Sequence, residues 1–379
     1  MKILKQQSEF SITKFKKGWS KFFIIQVLFF FALTLSAQSE FKKIDPSFDE
    51  REDAYMNRQS KALLEQVDRV LKKYPPQHPE PEARTLGLYL LDAVLHDKYA
   101  AFRKPVQQFY RSRMESVLYE IENTTVQEGA MIWKLYNMGF IVRTKSVTIA
   151  FDLVRGDSSG SENFGLGDKI MQRFINQCDV LFISHHHRDH VDEWVTRSFV
   201  RAGKPVVAPS QVWEGEPVHK LITHLKREAH TVQNLPVQNG EIELKVVIYP
   251  GHQMRSHDNN VPLIYTPEGI TVSHMGDQIN EGDFMPDYEW IDQVAKHHDV
   301  DILLPNNWTN DIYRIVQGFE PELVIPGHEN EMGHTFDDRV PFWGDEEYLG
   351  LEYTKLKRSK YLVVVMTWGE SYYYKSAKN

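Results

Sequence analysis

One short segment constrains the fold of this chain more than any other: residues 179–192, with the sequence DVLFISHHHRDHVD. The apolar run Val180–Ile183 has the composition of a buried β-strand, and it stops abruptly at Ser184. Alternate side chains of an extended segment share a face, and the residues that follow with metal-ligand spacing are His185, His187, Asp189 and His190. The segment therefore predicts a strand that ends in a cluster of imidazoles and carboxylates. We expect Asp189 and His190 to begin the helix DHVDEWVTRSF.

Three further potential ligands come directly after other predicted strands. IELKVVIYPGH ends at His252, GITVSHMGD ends at Asp277, and PELVIPGH ends at His328. Each of these residues lies just past the carboxyl end of a strand, which is the edge where sheet proteins assemble sites from loops. Five histidines and two aspartates delivered in this way indicate a site for two metal ions.

The chain has two parts with different sequence patterns. In 38–128, apolar residues at helical spacing predict helices over 54–74, over 83–100 and after Pro105. In 129–379, short β-branched and aromatic runs bounded by Gly, Pro or Asn alternate with helix-like segments. Such alternation is typical of an α/β domain in which helices cover sheets. We therefore predict a helical N-terminal region followed by a larger α/β domain.

Residues 1–37 have the pattern of a secretory signal peptide. Lysines come first, the apolar run FFIIQVLFFFALTL follows, and small residues lead to Ala37. We predict cleavage after Ala37 and export, so that the protein is periplasmic or secreted. An uncleaved membrane anchor is the competing interpretation, but the apolar run has 14 residues and a spanning helix needs about 20.

Net charge and cysteine content limit which binding partners and which reactions are expected. Loss of 1–37 would remove six lysines and Glu9, so a chain of net charge −8 would become more acidic. An acidic protein is a poor general binder of nucleic acid or anionic membrane, and no nucleic-acid partner is expected. Cys178 is the only cysteine, which excludes an intramolecular disulfide. Its place just before a predicted buried strand favours a small core residue over a nucleophile.

The potential ligands, in this order and spacing, resemble those of the metallo-β-lactamase superfamily. The resemblance covers roughly 130–335 and implies an αββα four-layer sandwich, to which the N-terminal helical region is added. The stretches MIWKLYNMGFIVRT, PEGITVSHMGD and VDILLPNN are most similar to the branch of ascorbate-6-phosphate-lactonase-like hydrolases. That branch is also similar to the phospholipase D that acts on N-acylphosphatidylethanolamine. It usually has a Gly-His pair where this chain has Asn137 and Met138.

The resemblance also implies roles for the ligands. One metal ion would be held by His185, His187 and His252, and a second by Asp189, His190 and His328, with Asp277 bridging both. Two divalent ions are expected, with Zn²⁺ first and Mn²⁺ or Fe as alternatives, because nitrogen and oxygen ligands suit all three. The implied reaction is hydrolysis by a hydroxide that bridges the metal ions, with Asp189 and Asp277 as catalytic residues. The substrate would be a lactone or a phosphodiester, either small or lipid-like.

Residues near the predicted ligands have two interpretations each. Arg255 and His257 would contact the substrate or lie in a solvated loop, and Asn306 and Asn307 would form a pocket wall or a turn. Asp152, which ends the run TIAFD, would orient a ligand imidazole or cap a turn.

Other functions compete with hydrolysis of small esters. A nuclease-type phosphodiesterase would show a basic substrate-binding surface, and the acidic charge of the chain speaks against one. A non-catalytic metal-binding module with the same fold would lack ligands, and none is missing from the sequence. Peripheral contact of the helical region with a membrane is a further alternative, and the sequence does not predict the oligomeric state.

Overall fold

A computed structural model describes residues 46–156, 161, 163–254, 256–278, 286–307, 309, 311–332, 356 and 358–375. Contacts divide the chain into two units, Met1–Arg58 and Gln59–Asn379. In the first unit only residues 46–58, which lie within the first helix, are described, and the predicted signal peptide lies outside the described residues. No helix among the described residues is long and apolar enough to cross a membrane.

Helices account for most of the described chain before residue 124 and recur between the later strands. The Pro-rich linker after Tyr74 ends the first helix, and Pro105 lies in the first turn of the third, where a missing N–H costs nothing. The α-helices are α1 (Pro46–Lys73), α2 (Glu82–Leu95), α3 (Lys104–Asn123), α4 (Asp168–Gln177), α5 (Glu193–Arg201), α6 (Asp287–Ile291), α7 (Val294–His297) and α8 (Ile312–Phe319).

The strands form two sheets. The first sheet has the order β13-β1-β2-β3-β4-β5 and the second the order β12-β11-β10-β9-β8-β7-β6. The strands of the first are β1 (Ala130–Lys134), β2 (Phe140–Arg143), β3 (Thr148–Phe151), β4 (Val180–Phe182), β5 (Val206–Val207) and β13 (Glu370–Tyr374). Those of the second are β6 (Gln233–Val237), β7 (Ile242–Gln253), β8 (His257–Tyr265), β9 (Thr271–His274), β10 (Ile302–Leu304), β11 (Leu323–Val324) and β12 (Leu362–Val363).

Consecutive side chains of a strand point to opposite faces of its sheet, so apolar residues pack both between the two sheets and on their outer faces. Ile132 of the first sheet and Val272 of the second belong to the apolar cluster between the sheets. Trp133, the next residue after Ile132, belongs to the other cluster, which also includes apolar residues of the helices. Burial of each such large side chain stabilises the fold by about 1.5–3 kcal/mol. The predicted αββα arrangement is confirmed.

The N-terminal helices pack on the outer face of the first sheet. Leu88 of α2 and Tyr110 of α3 lie in the same apolar cluster as Trp133. The ring of Tyr110 meets Trp368 edge to face, with ring centroids 5.3 Å apart, and lies 5.7 Å from Tyr136. These helices therefore supply the outer layer over the first sheet, while the domain boundaries at residues 37 and 128 stay predictions.

Cys178 lies in the core, as the sequence predicts. It is fully buried, and its thiol donates to the carbonyl oxygen of Phe174 at 3.3 Å. Burial raises the pKa of the Cys178 thiol to about 12, so the reactive thiolate is scarce at neutral pH.

Candidate metal centre

The candidate centre lies where the carboxyl ends of strands from both sheets meet. β9, β10 and β11 are neighbouring parallel strands, and Asp277, Asn306 and His328 follow them. From the first sheet, β4 leads into the turn that contains His185 and His190. Side chains far apart in sequence therefore converge because parallel strands end at a common edge.

Two carboxylates and two imidazoles form the most buried group of the centre. His190 Nε2 lies 3.0 Å from Asp189 Oδ2 and 3.1 Å from Asp277 Oδ2. His328 Nε2 lies 3.3 Å from Asp277 Oδ1 and 3.5 Å from Asp189 Oδ2. All four residues are buried, and their ligand atoms lie within 4.8 Å of one another.

A second group shares one carboxylate with the first. His185, His187 and Asp277 also offer ligand atoms within 4.8 Å of one another, with His185 Nε2 3.5 Å from Asp277 Oδ2. His187 is half-buried, whereas His185 is fully buried. Asp277 thus takes part in both groups, because its Oδ2 lies near His185 and His190 and its Oδ1 near His328.

These distances suit tetrahedral coordination. Ligand atoms about 2.1 Å from a zinc-type ion are about 3.4 Å apart at tetrahedral angles, close to the N–O separations in both groups. His185 Nε2 is buried and has no hydrogen-bond partner among the described residues, while its Nδ1 lies 3.0 Å from Ser184 Oγ. A buried nitrogen without a hydrogen-bond partner costs free energy unless something satisfies it. The residues present therefore fit divalent metal ions.

Asp152 organises the turn that carries the histidines. Its oxygens accept hydrogen bonds from the backbone N–H of Ser184 at 2.7 Å and from the Ser184 hydroxyl at 2.6 Å. Asp152 Oδ2 also lies 2.7 Å from Nδ1 of His190. With a proton on Nδ1, His190 is fixed in the tautomer that leaves Nε2 as an electron-pair donor. The structure therefore gives Asp152 contacts that orient a ligand imidazole, and the turn-cap alternative accounts for fewer of them.

Three side-chain amides hold the two carboxylates of the centre. Asn137 Nδ2 donates to Asp189 Oδ2 at 2.7 Å. Gln253 Nε2 donates to Asp277 Oδ2 at 3.0 Å, and Asn306 Nδ2 donates to Asp277 Oδ1 at 3.2 Å. In the sequence, Asn137 differs from a related branch but shows no sign of this role, and Gln253 shows none either, because an isolated amide gives no spacing pattern.

Opposite charges shift the pKa values of the buried group strongly. Burial alone would raise the pKa of Asp277, but His190 and His328 hold it well below its usual range. Burial alone would lower the pKa of His328, but Asp277 and Asp189 raise it to about 10. The pKa of His190 is likewise raised against the effect of burial, by Asp189, Asp277 and Asp152. Without a metal ion, protons on two imidazoles therefore balance the carboxylates.

His185 behaves in the opposite way. Burial, with a smaller contribution from nearby His190, lowers the pKa of His185 to about 3. The ring is therefore neutral at physiological pH, which is the form that binds metal ions.

His252 does not lie with the other predicted ligands. β7 continues to Gln253 and pairs with β8 residue by residue, so that consecutive side chains point to opposite faces. Gln253 faces the metal centre, whereas His252 Nδ1 lies 2.9 Å from Asp287 Oδ1. A cavity of about 360 Å³ is lined in part by His252, Asp287 and Trp290. No ligand group of the described residues includes His252, and its ligand role stays a prediction.

The remaining predicted residues lie in different places. Asp189 and His190 lie in a turn, and α5 begins three residues after His190 with Asp192 as its cap, because the Asp192 carboxylate accepts from Val195 N–H at 3.1 Å. His257 begins β8, with its ring centroid 5.2 Å from that of His187. The buried Asn307 donates its backbone N–H to the carbonyl of Gly327 at 3.0 Å. Arg255 lies outside the described residues.

Comparisons with known proteins give distant similarities only. No family model matches the sequence, and no curated protein matches it. Among solved structures, the chain is similar to Igni18, a metallo hydrolase from Ignicoccus hospitalis, at 16% identity and a TM-score of 0.46, over 65% of this chain and 99% of that one. It is also similar to a possible metal-dependent hydrolase from Veillonella parvula, at 15% identity and a TM-score of 0.45, over 65% of this chain and 100% of that one.

A third similar structure is CmlA, a diiron β-hydroxylase from Streptomyces venezuelae. The identity is 15% and the TM-score 0.42, over 66% of this chain and 55% of that one, so the chain spans about half the length of CmlA. Likeness at this level assigns no activity. The four layers and the ligand groups described above define the class of protein: an α/β sandwich with a candidate centre for divalent metal ions.

Proposed function

We propose that this protein is a metal-dependent hydrolase of the metallo-β-lactamase superfamily that uses two divalent ions. One observation supports the proposal above all: the two ligand groups are adjacent and share Asp277. A carboxylate with one oxygen near His185 and His190 and the other near His328 suits a bridge between two ions. Zn²⁺ is the proposed ion, and Mn²⁺ or Fe would also accept these nitrogen and oxygen donors.

The chain's own residues prepare the centre for such ions. When bound, two divalent ions would act as Lewis acids and lower the pKa of bound water from 15.7 toward about 7. Asp152 keeps Nε2 of His190 available, and the amides of Asn137 and Gln253 keep the two carboxylates in place. Because these partners are buried, the ligands are held before an ion arrives.

The charge of the centre indicates the type of substrate. Two aspartates balance only half of the four positive charges of two divalent ions, and neutral imidazoles balance none. A residual positive charge favours groups that are anionic, or become so during hydrolysis, such as a phosphodiester or the carbonyl of a lactone. We therefore propose an ester-type substrate, small or lipid-like, with Asp189 and Asp277 as the carboxylates nearest the reaction.

The test is metal analysis of protein purified without added metal, followed by assays on lactone, phosphodiester and amide substrates. We expect two divalent ions per chain and activity on one ester class. Asp277→Ala should lose bound metal and activity together, because both ligand groups contain Asp277. His224→Ala is the control, since His224 is exposed and belongs to no ligand group among the described residues. Retention of two ions by Asp277→Ala would contradict the bridging role.

We also propose that the protein is exported after cleavage behind Ala37. The basic start, the 14-residue apolar run and the small residues before Gln38 support this. Mass spectrometry of the protein from its native host should find Gln38 at the N-terminus, in the periplasmic or extracellular fraction. A chain that keeps residues 1–37 and sediments with membranes would favour the anchor instead.

A further inference from the structure

A third group of imidazoles lies on the more exposed side of the buried centre. His186, His187 and His257 each offer a ring nitrogen, and these nitrogens lie within 4.8 Å of one another. The ring centroids of His186 and His257 are 4.7 Å apart, and that of His187 is 4.9 Å from His186. All three residues are half-buried, whereas Asp189, His190, Asp277 and His328 are buried.

Two nitrogens of this group lack hydrogen-bond partners. Nδ1 of His186 and Nδ1 of His257 are shielded from solvent, and neither has a partner in the part of the chain that the structure describes. Such atoms are costly to bury unless something satisfies them. Three imidazole nitrogens around a zinc-type ion lie about 3.4 Å apart, so nitrogens that lie within 4.8 Å of one another need to approach by at most about 1.4 Å to bind one.

The backbone on both sides of the group is fixed independently of any ion. His186 lies two residues after Ser184, whose backbone N–H and hydroxyl donate to Asp152. His257 lies opposite Gln253 in the pairing of β7 with β8. The next residue, Asp258, forms an ion pair with Arg227 at 2.6 Å. The three rings are therefore brought together by elements that the buried centre itself needs.

We propose that His186, His187 and His257 form a third cation site, which shares His187 with the buried centre. This inference rests on the proposed two-metal centre. A site made only of imidazoles suits Zn²⁺, Ni²⁺ or Cu²⁺ and is a poor site for Mg²⁺ or Ca²⁺, which prefer oxygen ligands. It has no carboxylate, and His187 serves both sites at once only when its ring releases the second N–H proton and bridges the two ions as an imidazolate, so the third site binds its ion more weakly than the buried centre does.

The test is a calorimetric titration of the full chain with Zn²⁺ after removal of metal by a chelator. We expect a tight class of ions in the buried centre and one further, weaker ion per chain. His186→Ala and His257→Ala should each lose the weaker ion and keep the tight class, whereas His187→Ala should weaken both. A parallel titration with Mg²⁺ should show no binding to the weaker site.

The matched control is His219→Ala. The rings of His219 and His224 are 4.5 Å apart, and no third ligand joins them among the described residues, so this variant should keep both classes. Thermal unfolding of the metal-free variants checks that the fold is retained. The third site is overturned if the weaker ion persists in both His186→Ala and His257→Ala, or if the parent protein binds the tight class and no weaker ion. If the parent protein does not bind the tight class, the two-metal centre itself is contradicted.

Discussion

Asp152 supports the candidate metal centre although it belongs to neither buried ligand group. It is fully buried, has a backbone φ of 41° in the left-handed region, and contacts both Ser184 and His190 in the turn after β4. Burial alone would raise the pKa of Asp152, but His190 and His274 lower it below its usual value, so the residue is ionised at neutral pH. An ionised partner strengthens the electron-donating character of a ligand imidazole.

We therefore predict that Asp152→Asn lowers zinc affinity by about 10- to 100-fold while the ligands remain in place. Zinc affinity would be measured by competition with a chromophoric chelator. Asp292→Asn is the control, because Asp292 pairs on the surface with Arg314 at 2.7 Å and belongs to no ligand group of the described residues. Unchanged affinity in Asp152→Asn would remove the positioning role.

The pKa shifts of His190 and His328 predict how metal binding depends on pH. Both pKa values are raised, that of His328 to about 10, so both rings hold protons at pH 6 to 8 in the metal-free protein. A metal ion must displace those protons, and its affinity should rise about tenfold per pH unit for each proton displaced. Calorimetry in buffers of different ionisation enthalpy would count the protons released. A zinc affinity that is constant from pH 6 to 8 would contradict this assignment.

At the scale of elements, the loop after β9 lies in close contact with the turn after β4. Gly276 has a φ of +53°, and a Cβ there would lie 2.3 Å from Cβ of Ser184 and 2.4 Å from Oδ1 of Asn259. Only glycine lets the loop pass this close to the turn after β4. The loop in turn places Asp277, which belongs to both buried ligand groups.

Gly276→Ala should therefore destabilise the protein by about 2–5 kcal/mol, through both backbone strain and overpacking. Its metal content should fall as well, because Asp277 is displaced. Gly269→Ala is a matched control: its φ of +82° is also positive, but nothing lies within 4 Å of the added Cβ. This control should cost about 1–2 kcal/mol and keep its metal. Chemical unfolding and metal analysis of both variants would separate the effect of backbone strain from that of the steric clash. Equal losses of stability and metal in the two variants would contradict the proposed clash.

The sequence predicted those elements whose residues show a clear pattern. β4 and the histidine turn follow from an apolar run and a ligand spacing, and both ligand positions after β9 and β11 follow from strand ends. β6 was missed because Gln233–Val237 is partly exposed and contains a proline, and β13 because its partner β1 is distant in the chain. The contact of Gln253 with Asp277 was not predicted, because the sequence does not show where β7 ends and a shift of one residue changes the face.

At the scale of the whole molecule, a buried ion pair connects the N-terminal helices to the first sheet. Arg84 of α2 is fully buried and donates two hydrogen bonds to the carboxylate of Glu370 in β13, at 2.9 and 2.5 Å. The same guanidinium donates to the carbonyl oxygens of Tyr74 and Val365, at 3.0 and 2.8 Å. Loss of either partner would leave a buried charge with only a longer ion pair, from Glu370 to Arg113 at 3.6 Å or from Arg84 to Glu80 at 3.8 Å.

Arg84→Ala should destabilise the protein by about 3–5 kcal/mol, because Glu370 loses its bidentate partner. Arg314→Ala is the comparison, since the Arg314–Asp292 pair is exposed and should contribute about 1 kcal/mol or less. Urea unfolding of both variants would measure the difference. If the two variants lost similar stability, the N-terminal helices would not depend on this contact.

Arg84 and Glu370 are 286 positions apart, and this distance affects how the protein is made. While the ribosome is still producing the intervening residues, Arg84 lacks its bidentate carboxylate and the first sheet lacks β13. Until synthesis has passed Glu370, the guanidinium has the carboxylate of Glu80, 3.8 Å away in the folded protein, in place of a bidentate partner. The contact that joins α2 to the first sheet therefore forms only after nearly the whole chain has been made.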